Sequence, residues 1–244
     1  LPESYFLLGG SIKIVISIGG SLLTRELTPE NFKRYADVVA ELWKEGHKIA
    51  VVCGGGKVCR DYQNVAKAAG ADWLALDWIG TIATHLNAST FAASFSGYGD
   101  LKNRVHWIQL KSERAAVAEF KKYFGKHLVI GAGYEPGHST DYNSAIFAAA
   151  VKADLLVNAS NVDGVYTADP KKDPHAKKLP KLTYDEFIRI LRQNEQVPGE
   201  YRLFDLDAAK VIKKTKIKTV LVDGRDPQEI VRAVEGRHSG TTVE

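Results

Sequence analysis

Three short apolar runs that each stop at glycine constrain this chain more than any other feature. Ile12-Lys13-Ile14-Val15-Ile16-Ser17-Ile18 runs into Gly19-Gly20-Ser21, Lys48-Ile49-Ala50-Val51-Val52-Cys53 into Gly54-Gly55-Gly56, and His127-Leu128-Val129-Ile130 into Gly131-Ala132-Gly133. Runs this short and this rich in β-branched residues read as buried strands, and glycine marks the turn after each. Helical periodicity fills the space between. Thr28-Pro29-Glu30-Asn31 reads as a helix start with Thr28 as N-cap, after which Phe32, Tyr35, Val38, Val39 and Leu42 share one face. Further helices are expected from about Lys57 to Ala69, Asp77 to Phe95, Thr140 to Lys152, Tyr184 to Arg192, Asp205 to Thr215 and Pro227 to Glu235. Further strands are expected over Val105–Leu110, Asp154–Ala159, Lys218–Val222 and Thr241–Val243. Strands alternating with helices predict βαβ crossovers and an α/β fold with a mainly parallel sheet.

Composition narrows the function. With 244 residues and 45% hydrophobic content, the chain can bury the core of one large or two-lobed domain. The formal net charge of +4 suits a protein that handles small anions, and is too mild and too dispersed to predict a nucleic-acid partner. Cys53 and Cys59 are the only cysteines, too few for a disulfide framework or a tetrahedral metal set. A reducing, cytoplasmic setting and no protein-built metal site are therefore expected. No apolar run reaches the roughly 18 residues that span a bilayer, so no membrane partner is expected. Residues 1–11 lack a basic n-region, end in Gly9-Gly10-Ser11, and belong to a chain without any Met. They read as an extension or an expression remnant, which leaves residues 12–244 as the working domain.

Glycine lets backbone approach a ligand closely, and a helix that follows aims free N–H groups and its positive end at an anion. Three such turns on one sheet edge point to phosphate. None has the spacing of the Walker loop or of G-x-G-x-x-G. Arg60, one turn after Gly56, reads as a phosphate fork or as a surface residue, and Lys57 has the same two readings. Ser139-Thr140-Asp141 reads as polar ligand contacts or as a helix cap. Asn158 to Pro170 leaves a strand, turns at Asp163-Gly164, and carries Tyr166 and Asp169 at offsets that suit a heteroaromatic ring. The Lys-rich, Pro-broken stretch from Asp169 to Lys178 reads as a loop, either solvated or holding phosphates.

Val162-Asp163-Gly164-Val165-Tyr166-Thr167-Ala168-Asp169-Pro170 resembles the nucleotide-binding motif of the amino-acid kinase superfamily. Ile18 to Leu23, Gly54 to Lys57 and Ser139 to Asp141 follow in the order that superfamily uses. Gly54 to Arg60, Asp77 with Ile79-Gly80, and Pro136 to Asp141 resemble its uridylate kinases, the archaeal branch in particular. The resemblance covers residues 12–244, including Gly240-Thr241-Thr242. It implies a three-layer αβα sandwich, with acceptor binding in about residues 12–150 and nucleotide binding in about 151–244. It also implies transfer of phosphate from ATP to UMP with Mg²⁺, in a homo-oligomer, potentially a hexamer.

Site residues follow from the same resemblance. Gly19, Gly20 and Ser21 would lie along the phosphates. Gly56 and Arg60 would contact those of ATP, and Ser160, Asn161, Tyr166 and Asp169 the rest of that nucleotide. Gly55, Asp77 and the loop Tyr134, Glu135, Pro136, Gly137, His138, Ser139 and Thr140, with Asp141, would hold UMP, Asp77 at the ribose. Asp205 would organise the catalytic cation or metal. Ser17 stands where many members carry Lys, so Lys57, Arg60 or Mg²⁺ would supply the missing charge. Tyr142 stands where small residues are usual and would narrow the acceptor site. Two alternatives remain open: a sister kinase acting on isopentenyl phosphate or carbamate, and a non-catalytic nucleotide-binding or storage protein on this scaffold.

Overall fold

The computed structural model describes residues 10–170, 172–194 and 203–244. Most of the stretch read as an extension, and Lys171 of the Lys-rich loop, lie outside the described residues. The chain runs β1 (Lys13–Ile18), α1 (Gly20–Leu23), α2 (Pro29–Lys44), β2 (Lys48–Cys53), α3 (Gly56–Ala68), α4 (Trp73–Ala93), β3 (Val105–Trp107), α5 (Glu113–Tyr123), β4 (Leu128–Gly131) and α6 (Thr140–Val151). It continues through β5 (Leu155–Ser160), β6 (Val165–Tyr166), β7 (Lys178–Leu179), β8 (Lys181–Leu182), α7 (Tyr184–Asn194), α8 (Leu206–Thr215), β9 (Lys218–Asp223), α9 (Gln228–Val234) and β10 (Thr241–Val243).

An eight-stranded sheet has the order β3-β4-β2-β1-β5-β9-β10-β8, and β6 pairs with β7 beside it. Alternate residues of each central strand feed opposite cores, as the two-residue period of a strand requires. Ile14, Ile16 and Ile18 of β1 pack with α2, α4 and α9, whereas Val15 faces the core shared with α5, α6, α7 and α8. This is the expected three-layer sandwich with a mainly parallel sheet. Strands β4, β2 and β1 are adjacent and parallel, so their three glycine turns leave the same edge. Among the described residues no helix is long and apolar enough to cross a membrane.

Four local expectations change. Helix α4 starts at Trp73, one turn before Asp77, because the Asp72 carboxylate caps it by accepting from the Ala75 N–H at 2.8 Å. Strand β3 keeps only three residues. Helix α5 was not expected; among its residues only Ala116 and Phe120 are buried, which leaves little apolar periodicity to read. Strand β10 runs antiparallel to β9 and sits inside the sheet, between β9 and β8.

Candidate functional site

The first two glycine turns interlock. A Cβ on Gly20 would lie 2.2 Å from Gly56 N and 2.4 Å from Gly54 O, and one on Gly56 would lie 2.1 Å from Gly20 O. Gly56 also has φ +66°, where side chains are strained. Thr24 closes the crossing: its hydroxyl donates to Gly20 O and accepts from Lys57 N–H, both at 2.8 Å. Lys57 thus joins through its backbone, while its exposed ammonium pairs with Asp61 at 2.5 Å.

On one flank of this crossing lies a cavity of about 300 Å³. It is lined by Gly55, Gly56 and Arg60 of the second turn and α3, by Asp77 of α4, and by Gly133 and the loop from Glu135 to Thr140. Arg60 is exposed, one helical turn past Gly56. Asp77 Oδ2 accepts from Gly137 N–H at 2.7 Å and so ties the loop to α4. Glu135 accepts from the Glu113 N–H at the start of α5, at 3.1 Å. Ser139 is the N-cap of α6, its hydroxyl accepting from Tyr142 N–H at 3.1 Å. The capping reading of that residue holds, and the cap directs the positive end of α6 toward the cavity. Tyr134 does not line the cavity. It is 1% exposed, its hydroxyl donates to Ile108 O at 3.3 Å, and its ring packs on His85 and Phe147. An aromatic ring of that size finds more apolar surface in the core than at a polar loop.

Reasoning from sequence missed the inner face of α4. Thr81, Thr84 and, from α3, Cys59 and Gln63 also line the cavity. Asn87 Nδ2 donates to Gly54 O at 2.7 Å and to Gly55 O at 3.0 Å. Thr84 Oγ1 accepts from Gly133 N–H at 2.9 Å, and His85 Nε2 lies 2.7 Å from Gly133 O. A carbonyl only accepts, so His85 donates there, and burial lowers its pKa. The signal was available: residues 77, 80, 81, 84 and 87 recur at helical spacing.

Deeper, Ser17 and Asn158 are register partners on β1 and β5, and both face Asp141 in the first turn of α6. Asn158 Nδ2 donates to Asp141 Oδ1 at 2.7 Å, and the Ser17 hydroxyl donates to it at 3.4 Å. The carboxylate is enclosed, although the residue keeps some solvent contact. Burial, then the negative charge of Asp205, push it up to about 6, against the hydrogen bonds from Asn158 and Ser17. Ser17 donates a hydrogen bond but brings no cation, so the hydrogen bonds offset the burial only in part. Asp205 itself caps α8, accepting from Ala208 N–H at 2.9 Å.

On the other flank, Gly19 N–H donates to Ala159 O at 2.8 Å, bringing the first turn against Ser160. The Ser160 hydroxyl accepts from Val162 N–H at 3.2 Å, and Asn161 is exposed. Tyr166 donates to Asp163 at 2.8 Å, and Lys178 pairs with the same carboxylate at 2.7 Å. The Asp169 carbonyl accepts from the N–H groups of Lys172 and Asp173, which curls the loop back. Thr241 Oγ1 accepts from Val165 N–H at 2.8 Å and donates to Leu179 O at 2.7 Å, pinning the turn to β10. A larger hollow of about 730 Å³ between α7 and α8 is lined mainly by solvent-facing Lys and Arg and contains no glycine turn.

The Amino acid kinase family model matches residues 13–223. A uridylate kinase of Thermococcus kodakarensis is 39% identical over 237 residues, covering 96% of this chain and 100% of that protein. One of Methanothermobacter thermautotrophicus is 38% identical over 234 residues, 95% of this chain and 99% of that one. The crystal structure of the Archaeoglobus fulgidus uridylate kinase superposes with a TM-score of 0.81 at 34% identity, covering 96% and 100%. Likeness of sequence and of fold over nearly the whole length makes the chain a member of the amino acid kinase family.

Proposed function

We propose that the chain is an ATP-dependent nucleoside monophosphate kinase that converts UMP and ATP to UDP and ADP. One observation carries the reading: Gly54 and Gly56 pack against Gly20 while Gly55 and Gly56 line the cavity, so the two phosphate sites read here share a wall of bare backbone. The relatives, named uridylate kinases, support UMP as acceptor.

Phosphoryl transfer needs two phosphates in line and charge stabilised on the moving group. Gly19, Gly20, Ser21 and Gly56 take the donor phosphates, and Ser160, Asn161, Tyr166 and Asp169 take the rest of ATP. Arg60, which the resemblance put at the ATP phosphates, lines the cavity and is read here as taking UMP together with Gly55 and the loop from Glu135 to Thr140, with Asp77 at the ribose. An acceptor phosphate is already a nucleophile, so no general base is required. Among the described residues no cluster of three or more His, Cys, Asp or Glu forms a metal cage. Mg²⁺ is held by one or two carboxylates together with substrate phosphates. Asp141 and Asp205 would be the carboxylates that share it. When bound, the metal neutralises phosphate charge that Lys would cover in members carrying it at position 17.

The protein is further proposed to work in the cytoplasm as a homo-oligomer. Leu74, Trp78, Ile82 and Leu86 stand four residues apart on the outer face of α4, Trp78 41% and Ile82 56% exposed, beside Tyr62 and Val65 of α3. A second copy covers such an apolar stripe, and Trp78→Glu should reduce the size measured by ultracentrifugation.

The test is ADP release coupled to a panel of UMP, CMP, dUMP, isopentenyl phosphate and carbamate. UMP should give the highest kcat/KM. Binding of ATP and UMP without turnover would instead make the chain a nucleotide-binding protein.

A further inference from the structure

The cavity described above is poor in cations for a phosphate site. Among its described lining residues Arg60 is the only permanent cation, set against Asp77 and Glu135. A phosphate monoester carries close to two negative charges at neutral pH. The positive end of α6 supplies part of the difference. His138 is the remaining lining residue able to carry charge, and its surroundings are built around that charge.

Glu113, the first residue of α5, places Oε2 3.3 Å from His138 Nδ1. That oxygen is sealed from solvent and has no hydrogen-bond partner. A buried carboxylate oxygen left in this way is costly, and a cation beside it is what removes the cost. Tyr142 stacks on the His138 ring with centroids 4.2 Å apart and planes 30° from parallel. Tyr142 does not enter the cavity, so it does not narrow the site as its position in the sequence implied. It is a platform under His138, and its π face suits an imidazolium. The carboxylates of Glu113, Glu135, Asp205 and Asp207 act on the Tyr142 side of this stack, and Arg60 lines the same cavity as His138. The N-terminus of α6 and Arg60 oppose a positive ring, and the Glu113 carboxylate 3.3 Å from Nδ1 favours it.

We propose that Glu113, paired with Nδ1 of His138 over the Tyr142 ring, holds His138 as an imidazolium whose Nε2–H is the second cation for the acceptor phosphate. Glu113 is then a positioning residue and His138 a binding residue. This rests on the cavity being the acceptor site. The pair selects a dianionic monoester over neutral or singly charged acceptors, because it supplies charge that Arg60 alone does not.

Steady-state kinetics and NMR test the pair on the full chain. Glu113→Gln should raise the KM for UMP about tenfold and leave kcat and the KM for ATP within about twofold. The penalty should grow as the pH is raised from about 6 to about 8, since a neutral ring loses what Glu113 protected. The double variant Glu113→Gln/His138→Arg should recover most of the UMP affinity, because Arg needs no partner to stay charged. In the free protein, His138 ring shifts of Glu113→Gln at neutral pH should move toward those of a neutral imidazole. Unchanged His138 shifts would overturn the pairing. Altered shifts with an unchanged UMP KM would overturn the binding role. A loss equal at every pH, or no rescue by Arg, would make Glu113 merely structural. If Glu113→Gln does not fold, His138→Gln takes the same kinetic test, and an unchanged UMP KM there overturns the proposal. Absence of UMP binding to the wild type would remove the acceptor assignment itself, and the NMR arm would still judge the pair.

Discussion

The wall of the cavity and the 163–178 hairpin, proposed above to hold UMP and ATP, are fastened by different physics. Around the cavity, Thr84, His85 and Asn87 are 7%, 6% and 2% exposed, and each bonds backbone of a glycine turn. The 163–178 hairpin has one buried fastening, the Thr241 hydroxyl, and otherwise relies on a partly exposed ion pair, Asp163 with Lys178. Water cannot replace a neutral hydrogen bond sealed in the core, whereas it readily replaces an exposed ion pair. The cavity wall is therefore fixed largely by sealed bonds, whereas part of the hairpin's fastening responds to salt. The same contrast ranks the effect of substitutions.

The crossing of the first two turns should be the least tolerant place. Gly56→Ala puts a Cβ 2.1 Å from Gly20 O and 2.3 Å from Thr24 Oγ1 at a positive φ. Calorimetry should show a loss of more than about 4 kcal/mol, or no folded protein at all. Asn87→Ala should come next, at about 2–4 kcal/mol, because two buried carbonyls lose their donor. It should also raise the KM for UMP more than that for ATP. Equal effects would erase the distinction between the halves.

Asp141 lies between them and gives a test by pH. Its carboxyl is pushed up to about 6 from an ordinary 3.8, so the folded chain holds this proton more tightly than the unfolded chain. The stability it contributes is present below about pH 4 and is lost as the pH rises through about 6. Asp141→Asn should therefore raise Tm near pH 8, by about 1–3 kcal/mol in stability, with little gain near pH 4. Activity of the same variant should drop, and that of the wild type should rise through pH 6 as the carboxylate ionises. The smallest effect is expected on the nucleotide side. Lys178→Gln should cost under about 1 kcal/mol, and raising the salt concentration should shrink the difference.

Much of the layered fold was legible because strand burial writes itself as β-branched runs and turns as glycine. Ser17, Gly19, Gly55, Gly56, Arg60, Asp77 and the loop to Asp141 do gather at one sheet edge. What was not legible has physical causes. Helix α5 buries too few side chains to show a period, and with it Glu113 went unseen. Tyr134 looked like a loop ligand because nothing local says that its ring turns into the core. Asn158 looked like ordinary strand, since its importance depends on Ser17 standing beside it across β1 and β5. The inner face of α4 was readable in spacing but hidden by its apolar outer face.

Strand β10 has a consequence for the order of assembly. It is made after every other described element, yet it occupies an interior position between β9 and β8, and its Thr241 bonds Val165 and Leu179. A chain emerging from the ribosome can pair β1 through β5 and close the crossing of Gly20 and Gly56 early. The turn around Asp163 must wait for the last residues before its backbone is satisfied. Partly made chains would therefore present a finished cavity beside an unfinished hairpin, so quality control of synthesis would fall on the side proposed to bind ATP.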